Sequence, residues 1–179
     1  MEISASYWEP KIKIYGFQET VDLSLIELTV KPEQIERWGL CMVALDEGGA
    51  RFRLTLVQPD DHNRLQVRIV SHHKWEEIIA ECIENKMKPD VEGSLRIQSP
   101  VELIYFQGPH FGDRYGIADS AFNILEDNNI TVLASGCSGS VVYILFPEKN
   151  IKKAKQLLMS AFEVPKEIEH FDMDNSSPK

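Results

Sequence analysis

The densest set of residues with chemistry to offer is Gln107-Gly108-Pro109-His110-Phe111-Gly112-Asp113-Arg114-Tyr115-Gly116. It follows a short apolar run, 101–106, and precedes Ile117, Ala118, Ala121, Phe122 and Leu125, which recur at helical spacing. The first amides of a helix lack an intrahelical acceptor and sit at the positive end of its dipole. Such a junction favours a carboxylate. Glycines at 108, 112 and 116 let a ligand approach the backbone closely. Asp113 can pair with an ammonium or a basic side chain, and His110 and Arg114 can read an acidic one. The same residues also suit a plain glycine-rich connection in which Asp113 caps the helix, and both readings stay open.

Other clusters carry less. Ser135-Gly136-Cys137-Ser138-Gly139 reads as a turn of small residues, and Cys137 would be a reactive thiol only if its pKa were depressed. His62, His72 and His73 with Asp60 and Asp61 form the one metal-like group. Adjacent residues on a strand point to opposite faces, so His72 and His73 read as surface histidines. Glu76-Glu77 reads as a solvated helix position. No Ser-His-Asp, Walker or dinucleotide fingerprint appears, so no catalytic residue, metal or cofactor is expected.

The elements that hold the loop follow from periodicity. Residues 130–134 read as a strand after Asn128-Asn129 ends the helix, 135–139 as a turn, and 140–146 as a central strand. Asn150 can cap a last helix whose inward face is Ile151, Ala154, Leu157, Leu158, Ala161 and Phe162. Upstream, 11–17 and 23–30 read as strands, and Pro32 opens a helix with Ile35, Trp38, Met42 and Leu45 inward, stopped by Gly48-Gly49. Residues 51–57, with Phe52, Leu54 and Leu56 inward, and 64–70 alternate as a hairpin. Trp75, Ile78, Ile79, Cys82 and Ile83 mark a helix, 89–93 a loop and 94–98 a closing strand. The order strand, helix, strand, strand, helix, strand occurs once in full and once without its last strand. The sequence after Phe162 is too polar and too interrupted by proline to supply it. Residues 11–17 have no evident place in the first copy and are expected to complete the second sheet.

The spacing Gly116-Ile117-Ala118, Phe122, Leu125 and Ile130-Thr131-Val132, then the small-residue turn and Ala154, Leu158 and Ala161-Phe162, resembles the ACT domain, above all the regulatory ACT region of aspartokinases. The resemblance covers about a third of the chain. It implies an α+β fold of two tandem ferredoxin-like (βαββαβ) ACT modules: a structural module at 18–99, and a second at 100–164 with 11–17 contributing a strand. It also implies that the loop before Gly116 is the effector loop and that the hydroxyls of Ser135 and Ser138, with Cys137, face it across a dimer. The expected effector-binding set is Gln107, His110, Phe111, Gly112, Asp113, Arg114, Tyr115, Gly116, Ile117, Thr131, Ser135, Cys137 and Ser138. Thr131 stands where the family often has Asn, and Gly139 where it has Glu, so the effector does not carry over from lysine- or threonine-sensing relatives. The loop of the first module, Lys31-Pro32-Glu33, has no glycine and offers no comparable approach.

Composition narrows the rest. With 179 residues, 43% of them hydrophobic, the chain has material for a core. A net charge of -9 argues against nucleic acid and against an anionic membrane as partners. No apolar run spans a bilayer, the start is not that of a signal peptide, and three cysteines in no metal-binding pattern suit a cytoplasmic setting. Residues 165–179 read as a disordered tail, and 1–10 as a loose arm. The expected function is a sensor that binds a free amino acid or similar small metabolite. It would be a homodimer, without enzymatic activity, acting alone or on a separate metabolic enzyme. The alternatives are a ligand-free dimerisation scaffold and a small enzyme using His110 and Asp113.

Overall fold

The computed structural model describes residues 11–87, 95–109, 111–112 and 115–164. His110, Asp113 and Arg114 of the expected site, the arm, the loop at 89–93 and the tail lie outside the described residues.

The chain runs β1 (Ile12–Lys13), β2 (Gly16–Val30), a 3-10 turn (Pro32–Gln34), α1 (Ile35–Glu47), β3 (Phe52–Pro59) and β4 (Leu65–His72). A second 3-10 turn (His73–Trp75), α2 (Glu76–Lys86), β5 (Arg96–Gln107), α3 (Ile117–Asp127), β6 (Ala134–Ser138), β7 (Val141–Pro147), α4 (Ile151–Ala161) and β8 (Phe162–Glu163) complete it. Six strands form one sheet in the order β3-β4-β2-β5-β7-β6, and β1 and β8 pair separately in parallel. This is the ferredoxin-like order twice over, with β2 and β5 shared between the halves.

Sharing is possible because both central strands are long. The second half of β2 pairs with β4, while its first half pairs with the end of β5: Gly16 opposite Gln107, Phe17 opposite Phe106, Thr20 opposite Leu103. Residues 16–20 therefore take the fourth-strand position beside β5 in the second half. The sequence reading has 94–98 and 101–106 as separate strands, with Pro100, which cannot donate to a ladder, between them. The structure joins them through a cis Ser99–Pro100 bond inside β5. The ladder absorbs the proline as a bulge. Leu23 pairs with Val101 and Leu25 with Gln98, so Ser99 and Pro100 together oppose Ser24. A neighbouring bulge lies between Thr20 and Leu23, where Asp22 takes a φ of 59°.

Alternation along the strands builds three cores. Ile26, Leu28, Val30, Val67 and Ile69 meet Trp38, Cys41 and Leu45 of α1 and Ile79 and Ile83 of α2. Ile104, Phe106, Ile144 and Phe146 meet Ile117, Ala121 and Leu125 of α3 and Ala154 and Leu158 of α4. On the opposite face Leu23, Leu25, Val70, Val101, Leu103 and Leu145 are buried together. That face buries itself by curling: a Cβ on Gly136 of β6 would stand 2.7 Å from Leu56 of β3, so the two edges approach each other.

Several local expectations change. Ile35 and Ile78, placed inward by spacing, are 48% and 44% exposed, and Cys41 takes the buried position instead. Phe52 packs on the α1 side and Leu54 and Leu56 on the other face, because a register shift between 52 and 54 flips the alternation. The strand placed at 130–134 and the turn at 135–139 both move. Ser135, Gly136, Cys137 and Ser138 lie on β6, paired from Ala134–Leu145 to Ser138–Val141, and only Gly139-Ser140 turn. Gly139 has a φ of 58°, which suits a two-residue hairpin turn. Asn150 does not cap α4 with its side chain, which donates to the Pro147 and Glu148 carbonyls. The cap comes from β5: Glu102, 8% exposed, accepts from the amides of Asn150 at 3.0 Å and Ile151 at 2.8 Å. A carboxylate there complements the helix dipole.

Candidate functional site

Helix α3 begins at Gly116, whose left-handed backbone (φ 83°, ψ 7°) turns the loop abruptly into the helix. A residue with a Cβ is strained there, which is the physical reason for a glycine. The Gly116 carbonyl accepts from Ser120 at 2.9 Å and starts the helical ladder. The amides of Ile117, Ala118 and Asp119 have no acceptor among the described residues, and no described side chain caps this end.

Ile117 and Ala118 line a cavity of about 430 Å³ between the end of the loop, the first turn of α3 and strand β6. Its walls are Phe111, Tyr115, Gly116, Ile117, Ala118, Phe122, Ser135, Gly136, Cys137 and Val142. The volume falls in the range of small-molecule pockets. Phe111 is buried against Phe106 with ring centroids 6.1 Å apart, which anchors the loop to the core. Gly108 allows the loop to cross the N-terminal strand, since a Cβ there would overlap the Lys13 carbonyl oxygen and stand 2.5 Å from Phe111. Tyr115 is 97% exposed at the rim. Among the described residues the walls carry no Asp, Glu, Lys, Arg or His side chain.

Of the residues expected from sequence, Phe111, Tyr115, Gly116, Ile117, Ser135 and Cys137 meet at this cavity. Strand alternation explains the omission of Ser138: Ser135 and Cys137 share one face of β6, and Ser138 shares the other with Ala134. The Cys137 thiol lies 3.8 Å from the Gly139 carbonyl, to which it donates. Gln107 is exposed on β5, where its carbonyl accepts from Tyr15, and it is not part of the wall. Gly112 is exposed and likewise absent from the wall. Thr131 lines a different cavity of about 440 Å³ at the far end of α3, with Leu125, Glu126, Asn129, Ile130 and Val132. Phe122 borders both cavities. Sequence reasoning missed Ala118, Phe122, Gly136 and Val142 as wall residues. The signal for the helical pair was present, because positions 118 and 122 share one helix face.

The histidine cluster divides. His72 pairs with Asp22 at 3.3 Å and His73 with Glu76 at 3.1 Å. Asp60 instead receives the His62 and Arg64 amides in the β3–β4 turn. Among the described residues no group of three metal-ligating side chains converges. Likewise, no described helix is long and apolar enough to cross a membrane.

No family model and no curated protein matches the sequence. Solved structures do match the fold. The regulatory subunit of aspartate kinase from Thermus flavus superposes with a TM-score of 0.74 at 16% identity, over 84% of this chain and 99% of that one. A putative C-terminal regulatory domain of aspartate kinase from Porphyromonas gingivalis gives 0.60 at 14% identity, over 82% and 96%. E. coli aspartokinase III in complex with lysine and aspartate gives 0.56 at 15% identity, over 88% of this chain and 35% of that enzyme. The chain thus has the two-module fold of aspartate kinase regulatory regions.

Proposed function

We propose that this protein is a regulatory module that binds a free amino acid, or a metabolite with the same carboxylate and small side chain, in the cavity at the start of α3. The observation that carries the reading is the first turn of α3, whose amides at Ile117 and Ala118 have no acceptor among the described residues and whose residues line a cavity of about 430 Å³. The carboxylate takes the amides, the Ser135 hydroxyl adds a hydrogen bond, and the apolar walls at Phe122 and Val142 read the side chain. That a similar fold occurs in an enzyme solved with lysine and aspartate supports an amino acid as the ligand class. Asp113 or His110 and Arg114, next to the cavity in sequence, set the charge preference.

Binding acts by population. A ligand that prefers one arrangement of the module shifts it towards that arrangement by its differential affinity. Strand β6 stands at the sheet edge beside the cavity, so a second copy paired there would complete the site as a homodimer. The regulated activity then resides in a separate metabolic enzyme.

A thermal-shift panel of amino acids tests the reading. A ligand at about a hundred times its Kd stabilises the native state by about 2.7 kcal/mol, a rise of roughly 5–10 °C for a chain of this size. Ala118→Trp fills the cavity from its exposed rim and abolishes the shift while leaving the unliganded Tm within a few degrees. A panel without any shift, from a chain that is still dimeric, would instead favour a scaffold that binds no ligand.

A further inference from the structure

We propose that Cys41 and Cys82 form a reversible dithiol–disulfide pair, oxidised by a peroxide and reset by a thiol reductant. The inference is independent of the cavity at α3, because the pair lies in the other half of the molecule. Cys41 sits on α1 and Cys82 on the neighbouring α2, and the two helices pack side by side on the sheet. Their sulfurs are 3.2 Å apart. A disulfide bond is ~2.05 Å long, so closure needs only about 1.2 Å of approach. The sequence separation of 41 residues hides the pair from any motif search.

The two sulfurs differ in access. Cys41 is fully buried, and Cys82 is half-buried at the outer side of the pair, where its thiol donates to the Cys41 carbonyl at 3.7 Å. Burial, and then the neighbouring Cys82 sulfur, hold the Cys41 thiol up to about 12, so Cys41 stays protonated. Cys82 is therefore the sulfur that meets the oxidant. Its thiolate attacks one peroxide oxygen, the O–O bond breaks, and the second oxygen leaves as water with a proton, giving a sulfenic acid. The Cys41 sulfur then attacks the Cys82 sulfur. The S–O bond breaks, and the hydroxyl leaves as water with the Cys41 proton. In sum, two thiols are oxidised to one disulfide and one hydrogen peroxide is reduced to two waters. The bond ties α1 to α2 and constrains the unfolded chain across the loop between them.

The test uses the reduced full chain and hydrogen peroxide. The expected product is about 2 Da lighter than the reduced chain. Its free thiols fall from three to one, and the cross-linked peptide joins positions 41 and 82. Without reductant its Tm rises by roughly 5–15 °C, and dithiothreitol reverses all of this. Cys137→Ser retains the mass loss, and Cys82→Ala removes it. The proposal is overturned if Cys41 and Cys82 both remain free thiols at a peroxide dose that oxidises the exposed Cys137, if the cross-link maps to Cys137, or if Cys82 over-oxidises with no link.

Discussion

At the scale of single residues, Glu102 shows how a strand can decide where a helix begins. Its carboxylate is nearly buried on β5 and receives the amides of Asn150 and Ile151, where α4 begins. Glu102→Ala leaves those amides without their acceptor and opens a void. Urea unfolding should show a loss of about 2–3 kcal/mol, and Glu102→Gln, which keeps the shape, about 1 kcal/mol. Gly108 is a residue fixed by space rather than by dihedral angle. Gly108→Ala drives a methyl into the Lys13 carbonyl and the Phe111 ring. The expected cost is about 1–3 kcal/mol by the same measurement, together with a weaker ligand response, since Phe111 helps wall the cavity. Glu76 gives a pH signature. Hydrogen bonding from Ser24 at 2.6 Å is the main cause holding its carboxyl below the ordinary value of 4.5. Partial desolvation opposes this, and Ser99 and His73 reinforce it. A depressed carboxylate contributes stability that is full above the unfolded pKa and lost as pH falls through the lower folded value. The Tm should therefore drop as the solution is acidified below about pH 4.5, and Glu76→Gln should flatten that part of the profile.

At the scale of elements, β2 and β5 carry the design. Each is long enough to serve both halves, and their ladder shifts register at bulges midway along it. The polar cluster of Ser24, Ser99, His73 and Glu76 sits beside these bulges and ties α2 to both strands. A chain that starts at Val21 loses β1 and the part of β2 that pairs with residues 103–107. It exposes an edge of β5 and removes Phe17, which packs edge-on against Phe106 at 5.2 Å and Phe162 at 6.3 Å. Hydrogen exchange should show amide protection lost from α3 and α4 and from the end of β5, while α1, α2 and the β3–β4 hairpin keep more of theirs. Equal loss in both halves would contradict this division. The β6 element taught a different lesson. Ala-Ser-Gly-Cys-Ser is a poor strand by propensity, but pairing to β7 overrides it and the missing Cβ at Gly136 admits Leu56.

At the scale of the whole molecule, the two halves share a sheet and a core. Leu23, Leu25 and Val70 from one half are buried with Leu103, Ala134 and Leu145 from the other. Neither half buries these residues alone. Calorimetry should accordingly give one transition, with a ratio of calorimetric to van't Hoff enthalpy near unity, and two resolved transitions would refute a shared core. Strands β5 and β2 connect the α3 half to the far half within one sheet.

The sequence by itself determined the helices, most of the strands, the double ferredoxin-like order and the glycine-laced approach to α3, but not the strand at 134–138, which it reads as a turn. Each is a local matter of periodicity, caps and turn residues. It also named Phe111, Tyr115, Gly116, Ile117, Ser135 and Cys137, which meet at one cavity. Only the tertiary structure decided the rest. The strands read at 94–98 and 101–106 are one, because the paired strand bulges around Ser99 and Pro100. The register of β6 depends on β7, and it turns Ser138 away while admitting Ser135. Thr131 lies in the next cavity because residues 130–133 precede the ladder that was expected to contain them. The nearness of Cys41 to Cys82, like that of Glu102 to α4, comes from packing elements far apart in the chain, and no local pattern encodes such contacts.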